Sequence, residues 1–368
     1  MKILENILLK DLTTMRLGGP AKYVLEVEEP ADIIKAFDFV NQHHLPYYIL
    51  GGGANTIAHD EGFNGAIIRN VMSGIDTVEE TQSLRRRDFG ARQREMERRL
   101  PVATGRTDVT PSEAMRFRIM GGTPWDDVVK FTTEKGLTGI EALSKIPGLS
   151  GAAPVQNIGA YGQDISAVFV KADVYDIKTR EFKTLGKDDF HFSYRHSIMN
   201  TTEQGRYFVI SIFLGLKKGQ MSRPFYNSIE RYISEHNITD FSPASIRNIV
   251  SAIRADKLPD PAVKASAGSF FKNIYLSDAE ATTAEAKGYP VYRGHDGLKI
   301  NSAWLIEQAG LKGALLHGFR INEKAPLVLI NESATSYNDL AAARAEIIAK
   351  VHDKFGYTLE QEPMEITQ

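Results

Sequence analysis

The sequence has 368 residues, 44 basic and 46 acidic side chains, and a formal net charge of −2. That length exceeds one ordinary core and predicts two or three domains, while the balanced charge gives no general reason to expect nucleic acid. The absence of cysteine excludes disulfides, iron–sulfur clusters, cysteine nucleophiles and a cysteinyl cofactor link, and no histidine spacing matches a metal site.

The N-terminus carries Glu5 and Asp11 among its apolar residues, with no small-residue cleavage site, so it does not read as a secretory signal. No apolar run is long enough to span a membrane, and a soluble cytoplasmic monomer is the expectation. Ile33, Ile34, Phe37 and Val40 recur at helical spacing behind Pro30, a residue suited to a first turn. Tyr47–Leu50 predicts a short strand stopped by Gly51 to Gly53, and Ala66 to Ile68 predicts another. Alternating β and α segments favour an α/β or α+β domain. Residues 83–115 are arginine-rich and poor in aliphatics; they predict a solvated excursion or a basic arm.

Further on, Thr123, Pro124 and Asp126 predict a capped helix start, and Gly136 its end. Residues 170–197 alternate as strands and turns, and "RYFVISIFLGL" predicts a strand buried on both faces. Pro259 and Pro261 break the chain before a new segment. "NSAWLIEQAGLKG" predicts a short capped helix, and Ser336 and Gly356 delimit a long last one. The tail "YTLEQEP" predicts a strand with Glu360 and Glu362 on one face.

Several stretches could carry chemistry. "GGGANT", Gly51, Gly52, Gly53, Ala54, Asn55 and Thr56, is either a tight turn or a loop whose N–H groups converge on a phosphate; no Gly-Lys-Ser/Thr follows it. "IPGLSGAAPVQNIGAYG", Ile146 to Gly162, is small and almost uncharged, which suits a buried turn or a bed for a flat aromatic cofactor. Arg195 offers a planar fork for carboxylate or phosphate, and Arg254 and Lys257 add cations before "AGSFFKN". In that last stretch Ser269, a lysine and Asn273 surround two phenylalanines, either as a core strand or as a hydroxyl in a dry pocket.

Taken in order, "TTMRLGGPA", "LGGGANT", "IPGLSGAAPVQNIGAYG", "YRHS", "KLPDP", "AGSFFKN", "AWLIEQAGLKG" and "LVLIN" resemble the UDP-N-acetylenolpyruvoylglucosamine reductase family over nearly the whole chain outside the arginine-rich block. Tyr226 in "RPFYNSIERY" is similar to the form with a substrate-domain tyrosine loop. The resemblance implies an α+β fold: a two-part FAD-binding fold of the vanillyl-alcohol oxidase type plus a substrate-binding domain. The implied divisions are 1–74 with the 357–368 tail returning to it, 75–257 containing the 83–115 insert, and 258–356.

It further implies NADPH-dependent, FAD-mediated reduction of UDP-N-acetylglucosamine enolpyruvate to UDP-N-acetylmuramate, in peptidoglycan synthesis, with FAD held non-covalently. By resemblance Ser269 is the proton donor, with Arg195 and Glu362 the other catalytic positions. Tyr161, Arg195, Tyr226, Lys257, Gly268, Ser269 and Asn273 would meet the substrate. FAD would lie on Gly51 to Thr56, Ile146, Pro147, Gly148, Ser150, Gly151, Ala152, Asn157, Gly159, Ala160, Tyr161, Gly162, Ile210 and Arg254. Met364 departs from an arginine the family often has two residues beyond its glutamate, which leaves Glu360 as the competitor of Glu362. An FAD-dependent sugar or alcohol oxidase, or a silent nucleotide-binding module, are the alternative functions.

Overall fold

A computed structural model describes residues 1–78, 114–294 and 297–367. The arginine-rich block therefore lies outside the described residues, apart from Ala114 and Met115, which open a strand. Helices and strands mix along the chain, an α+β fold. The chain forms two compact units: the first comprises Met1–Ile3, Leu25–Gly51 and Ile68–Ile253, the second Leu4–Val24, Gly52–Ile67 and Arg254–Gln368. Among the described residues, no helix is long and apolar enough to cross a membrane.

The first unit is built on an antiparallel sheet ordered Glu181–Gly186, Phe169–Asp176, Tyr207–Lys218, Ala114–Met120 and Ile75–Val78, with Leu137–Thr138 also paired to Tyr207–Lys218. The central strand, Tyr207–Lys218, is buried from Phe208 to Leu214, as its apolar run, interrupted in that stretch only by Ser211, predicts. One face packs Phe117, Ile119, Ile212 and Leu214 against Trp125, Val128 and Val129 of the helix Trp125–Glu134. On the helix Pro30–Gln42, with Pro30 in its first turn, Phe37 lies 5.6 Å from the Tyr175 ring and 6.3 Å from Phe208. A smaller apolar cluster joins Ile229 and Ile233 to Ile246, Ile249 and Val250 through the helices Asn227–Glu235 and Pro243–Lys257.

The second unit has its core around Phe270, Phe271, Leu305, Ile306, Phe319, Leu340, Ile347 and Val351. Its small sheets are Leu315–Leu316, Phe319–Ile321 and Leu329–Asn331, and Ile274–Leu276 beside Gly297–Ile300 beside Tyr292–Gly294. The helix Tyr337–Phe355 begins at a Ser336–Asp339 capping box and ends at left-handed Gly356, as expected.

Three local expectations are corrected. Thr123 does not cap its helix: Pro124 stands at that position without a side-chain cap, while the Thr123 hydroxyl exchanges hydrogen bonds with Gly74. Asp126 turns instead to Arg247 and Lys145. The tail strand is Met364–Ile366, not 357–363, because its parallel partner Thr56–Ala58 meets only those residues. That partner strand had no sequence signal, and the strand expected at Ala66 to Ile68 runs from Phe63 to Asn70.

Candidate active site

In the first unit the run from Ile146 to Gly162 is pinned to the helix start beside it. Trp125 donates to Gly148 O (3.0 Å), Ser150 N–H and Oγ donate to Thr123 O (2.8 and 2.9 Å), and Gly151 N–H donates to Gly121 O (2.8 Å). Small residues are required there: a Cβ on Gly151 would lie 3.0 Å from Gly121 Cα, and one on Gly51 would lie 2.8 Å from the Ala152 methyl. Ile210 lends its carbonyl to Gly121 N–H (2.8 Å). Lys145, just ahead of the run, donates its backbone N–H to Asp126 (2.7 Å), and Arg247 grips the same carboxylate through both Nη atoms (2.6 and 2.9 Å). Burial opposes ionisation of Asp126, but the Arg247 and Lys145 bonds outweigh it and hold the carboxyl well below its usual range.

The second half of the run is conformationally unusual. Asn157 (φ 45°) and Tyr161 (φ 49°) adopt left-handed backbone that side chains seldom accept. Asn157 is buried; its Nδ2 donates to Ser193 O (3.2 Å) and its Oδ1 accepts from Ser166 N–H (3.1 Å). Gly159 and Ala160 pair with Gln163 and Asp164. Arg195 lies in a turn closed by Ser193 and His196, also left-handed (φ 56°), and its Nη2 donates to Gly159 O (2.9 Å). Tyr226 is 51% exposed and meets the Tyr161 ring edge-on at 5.8 Å. The sequence-predicted residues 157–162, 195 and 226 thus converge in one unit.

In the second unit Ser269 is half-buried and follows Gly268, whose left-handed backbone (φ 68°) leaves open space where a side chain would stand. Ser269 bridges to Val328, and the next two residues are full core: Phe270 and Phe271 are buried and meet edge-on at 5.1 Å. The tail lies against this segment. Glu362 N–H donates to Phe270 O (2.9 Å), Lys272 N–H donates to Glu360 O (2.8 Å), and Phe271 bridges to Gln361. Met364 N–H then donates to Asn55 O (3.0 Å), so Asn55, Ser269 and Glu362 stand on adjoining backbone although they are far apart in sequence. Gly53, at φ 65°, is pressed so closely on Leu12 that a Cβ would lie 2.0 Å from its carbonyl oxygen.

Glu360 and Glu362 do not share a strand face. Glu360 points out, 73% exposed, and pairs with Lys272 at 2.5 Å, whereas Glu362 is half-buried. The Asn273 side-chain carbonyl accepts from Ser302 N–H (3.1 Å). Arg254 and Lys257 fall in the last turn of the helix Pro243–Lys257; Lys257 O accepts from Asn322 Nδ2 (2.9 Å).

Residues 260–366 match the model of the UDP-N-acetylenolpyruvoylglucosamine reductase C-terminal domain. A UDP-N-acetylenolpyruvoylglucosamine reductase of Shewanella baltica is 33% identical over 88% of this chain and 85% of its own length. One from Thermobifida fusca is 34% identical over 98% and 97%. The chain belongs to the UDP-N-acetylenolpyruvoylglucosamine reductase family. The crystal structure of the family member MurB from Thermus caldophilus shares the fold across all of both chains, with a TM-score of 0.63 and 22% identity. The protein is accordingly an oxidoreductase of this family.

Four side chains of the matched C-terminal region near Glu362, and His59 outside that region, carried no readable signal. Arg344 Nη1 donates to Gln361 Oε1 and to Glu365 Oε1, both at 2.6 Å. Tyr337 Oη donates to Glu365 Oε2 (3.0 Å), where His59 Nε2 also stands at 3.1 Å. Burial works against ionisation of Glu365, yet bonds from Arg344, Gln361, His59 and Tyr337 keep its carboxyl below the ordinary value. Each of these residues reads locally as a surface polar group, and only the return of the tail collects them.

Proposed function

We propose that the chain reduces the enolpyruvyl ether of UDP-N-acetylglucosamine to UDP-N-acetylmuramate, with NADPH as electron donor and FAD as resident cofactor. The residues fit such a group. Gly148 and Gly162, both left-handed, leave open space where side chains would stand, while Gly151 lies close against the Gly121 backbone and Gly51 against the Ala152 methyl. Backbone free of Cβ atoms suits a planar ring and a pyrophosphate, which accept from N–H groups. Gly51 to Thr56, Ile146 to Gly162, Ile210 and Arg254 would hold it non-covalently.

Reduced FAD, when bound, supplies a hydride to C3 of the enolpyruvyl group. This chain's part is to place the substrate, steady the resulting anion and protonate C2. Ser269 gives the proton: a hydroxyl is a weak acid, but it can protonate a strongly basic carbanion without resting ionised. Arg195, its guanidinium steadied on Gly159 O at 2.9 Å, meets the charge developing on the carboxylate, where a preorganised cation is most useful. Glu362 stands on the segment beside Ser269. Burial of Phe270 and Phe271 excludes water from behind the serine, which strengthens each polar contact in front of it. Lys257 faces the pyrophosphate, and Tyr226, Tyr161, Gly268 and Asn273 orient the sugar nucleotide. The division at 258–356 for substrate binding, with the tail beyond it returning to the cofactor part, belongs to this proposal, as does a cytoplasmic monomer working in peptidoglycan synthesis.

The observation that carries the proposal is the bond from Glu362 N–H to Phe270 O at 2.9 Å, which sets Glu362 beside the Ser269 segment. Ser269→Ala tests it under anaerobic conditions. Reduction of bound flavin by NADPH should stay within about twofold of wild type, while its reoxidation by the enol ether slows at least about 100-fold. Equal losses in both half-reactions would remove Ser269 from its role.

A further inference from the structure

Glu362 does not sit on a regular element. The backbone from Tyr357 to Gln361 forms neither helix nor strand ladder, and the strand begins only at Met364. An irregular segment keeps its place only through the groups that hold it; beside its backbone bonds to Phe270, Lys272 and Asn55, two side-chain holds, one on each side of Glu362, come from a single residue. Arg344 projects from the helix Tyr337–Phe355 and donates through one nitrogen to residues on both sides of Glu362: Gln361 before it and Glu365 after it. Gln361 is thereby turned so that its own Nε2 donates to Pro363 O (2.8 Å), closing the chain around Glu362. Arg344 Nη2 also reaches Tyr337 Oη (3.3 Å), and the Tyr337 ring stacks on His59 at 3.6 Å. The Arg344 side chain is three-quarters covered, at 25% exposure, so its bonds are made where solvent competes weakly.

We infer that Arg344 is the positioning residue for Glu362, fixing the tail by holding Gln361 and Glu365 at once. The inference rests on the function proposed above only where it gives Glu362 a task; the fixing itself is independent of the reaction. An arginine serves here because its planar fork presents several donors in fixed directions, whereas a lysine offers one point charge on a flexible stem. Small displacements matter for a group that acts on substrate, since an error of about 1 Å can cost roughly 100-fold in rate.

The test uses the full-length protein loaded with FAD and two variants, Arg344→Met and Arg344→Lys. Amide hydrogen exchange reads the fixing directly. In Arg344→Met the amides of Glu362 and Met364 should exchange at least about tenfold faster, while that of Phe270, which donates to Leu327 O, keeps its protection. In anaerobic half-reactions, flavin reduction by NADPH should stay within about twofold and reoxidation by the enol ether should slow about 10- to 100-fold, with Arg344→Lys recovering part of the loss. Wild-type exchange at both amides in Arg344→Met would overturn the inference, as would a parallel fall in both half-reactions. Should Arg344→Met fail to fold, Glu365→Gln removes the charge from the same bond, and its exchange pattern decides in the same way. A wild-type protein whose reduced flavin ignores the enol ether would defeat the proposed function, and the exchange result would still judge Arg344.

Discussion

Replacing Glu362 and Glu360 separately with glutamine distinguishes two carboxylates that differ by two positions in the sequence. Glu360 is 73% exposed and forms an ion pair with Lys272 at 2.5 Å. A pair with so much solvent on the carboxylate side is worth about 0–1 kcal/mol, or at most about a fivefold change in any step. Glu362 is half-buried, and its backbone is locked to Phe270 O. A carboxyl group that takes part in proton handling contributes about 10²–10⁴ in rate, or about 3–5 kcal/mol. The expected outcome is therefore a loss of at least about 100-fold in Glu362→Gln and less than about fivefold in Glu360→Gln. Stopped-flow reoxidation of the reduced flavin by the enol ether, followed by flavin absorbance without oxygen, measures both. NADPH reduction in the same samples reports whether the cofactor site is intact. A Glu360→Gln loss as large as that of Glu362→Gln, or a Glu362→Gln protein within fivefold of wild type, would refute the assignment of the tail.

Two further outcomes follow from the geometry of the loops. Gly53→Ala forces a side chain into left-handed backbone, at about 1–2 kcal/mol, and drives its Cβ to within 2.0 Å of Leu12 O; the variant should purify with little flavin and a midpoint several degrees lower, and wild-type flavin content and melting would contradict the loop's close approach. Asp126→Asn removes the charge that joins Arg247 and Lys145 and should lower the melting midpoint at neutral pH. Because the folded carboxyl titrates below its unfolded value of about 3.9, its contribution is full above that value and fades as pH falls further. The gap between wild type and variant should thus narrow below about pH 4, and a constant gap in thermal melts from pH 7 to 3 would disprove the assignment.

The sequence by itself determined the chemistry-bearing residue types and the elements whose signals are local. Ser336 and Gly356 bound their helix as read, because a cap bonds within one turn of itself. Pro30 opens its helix, and the apolar run at 207–218 is a central strand. The ordered motifs carried the family. Tertiary structure decided what those residues touch. Thr123 looked like a cap, but Gly74 offered both a donor and an acceptor to its hydroxyl, and Asp126 found two cations, one of them on a helix more than a hundred residues away. The tail's alternation suggested a strand over 357–363, yet a strand needs a partner, and the edge at Thr56–Ala58 reaches only Met364–Ile366. Glu360 and Glu362, equivalent by period, were thereby separated into an exposed ion pair and a half-buried carboxyl, and Arg344, Gln361 and Glu365 became one network. Hydrogen bonds between segments hundreds of residues apart leave no periodicity in either segment, so their register exists only once the chain has folded.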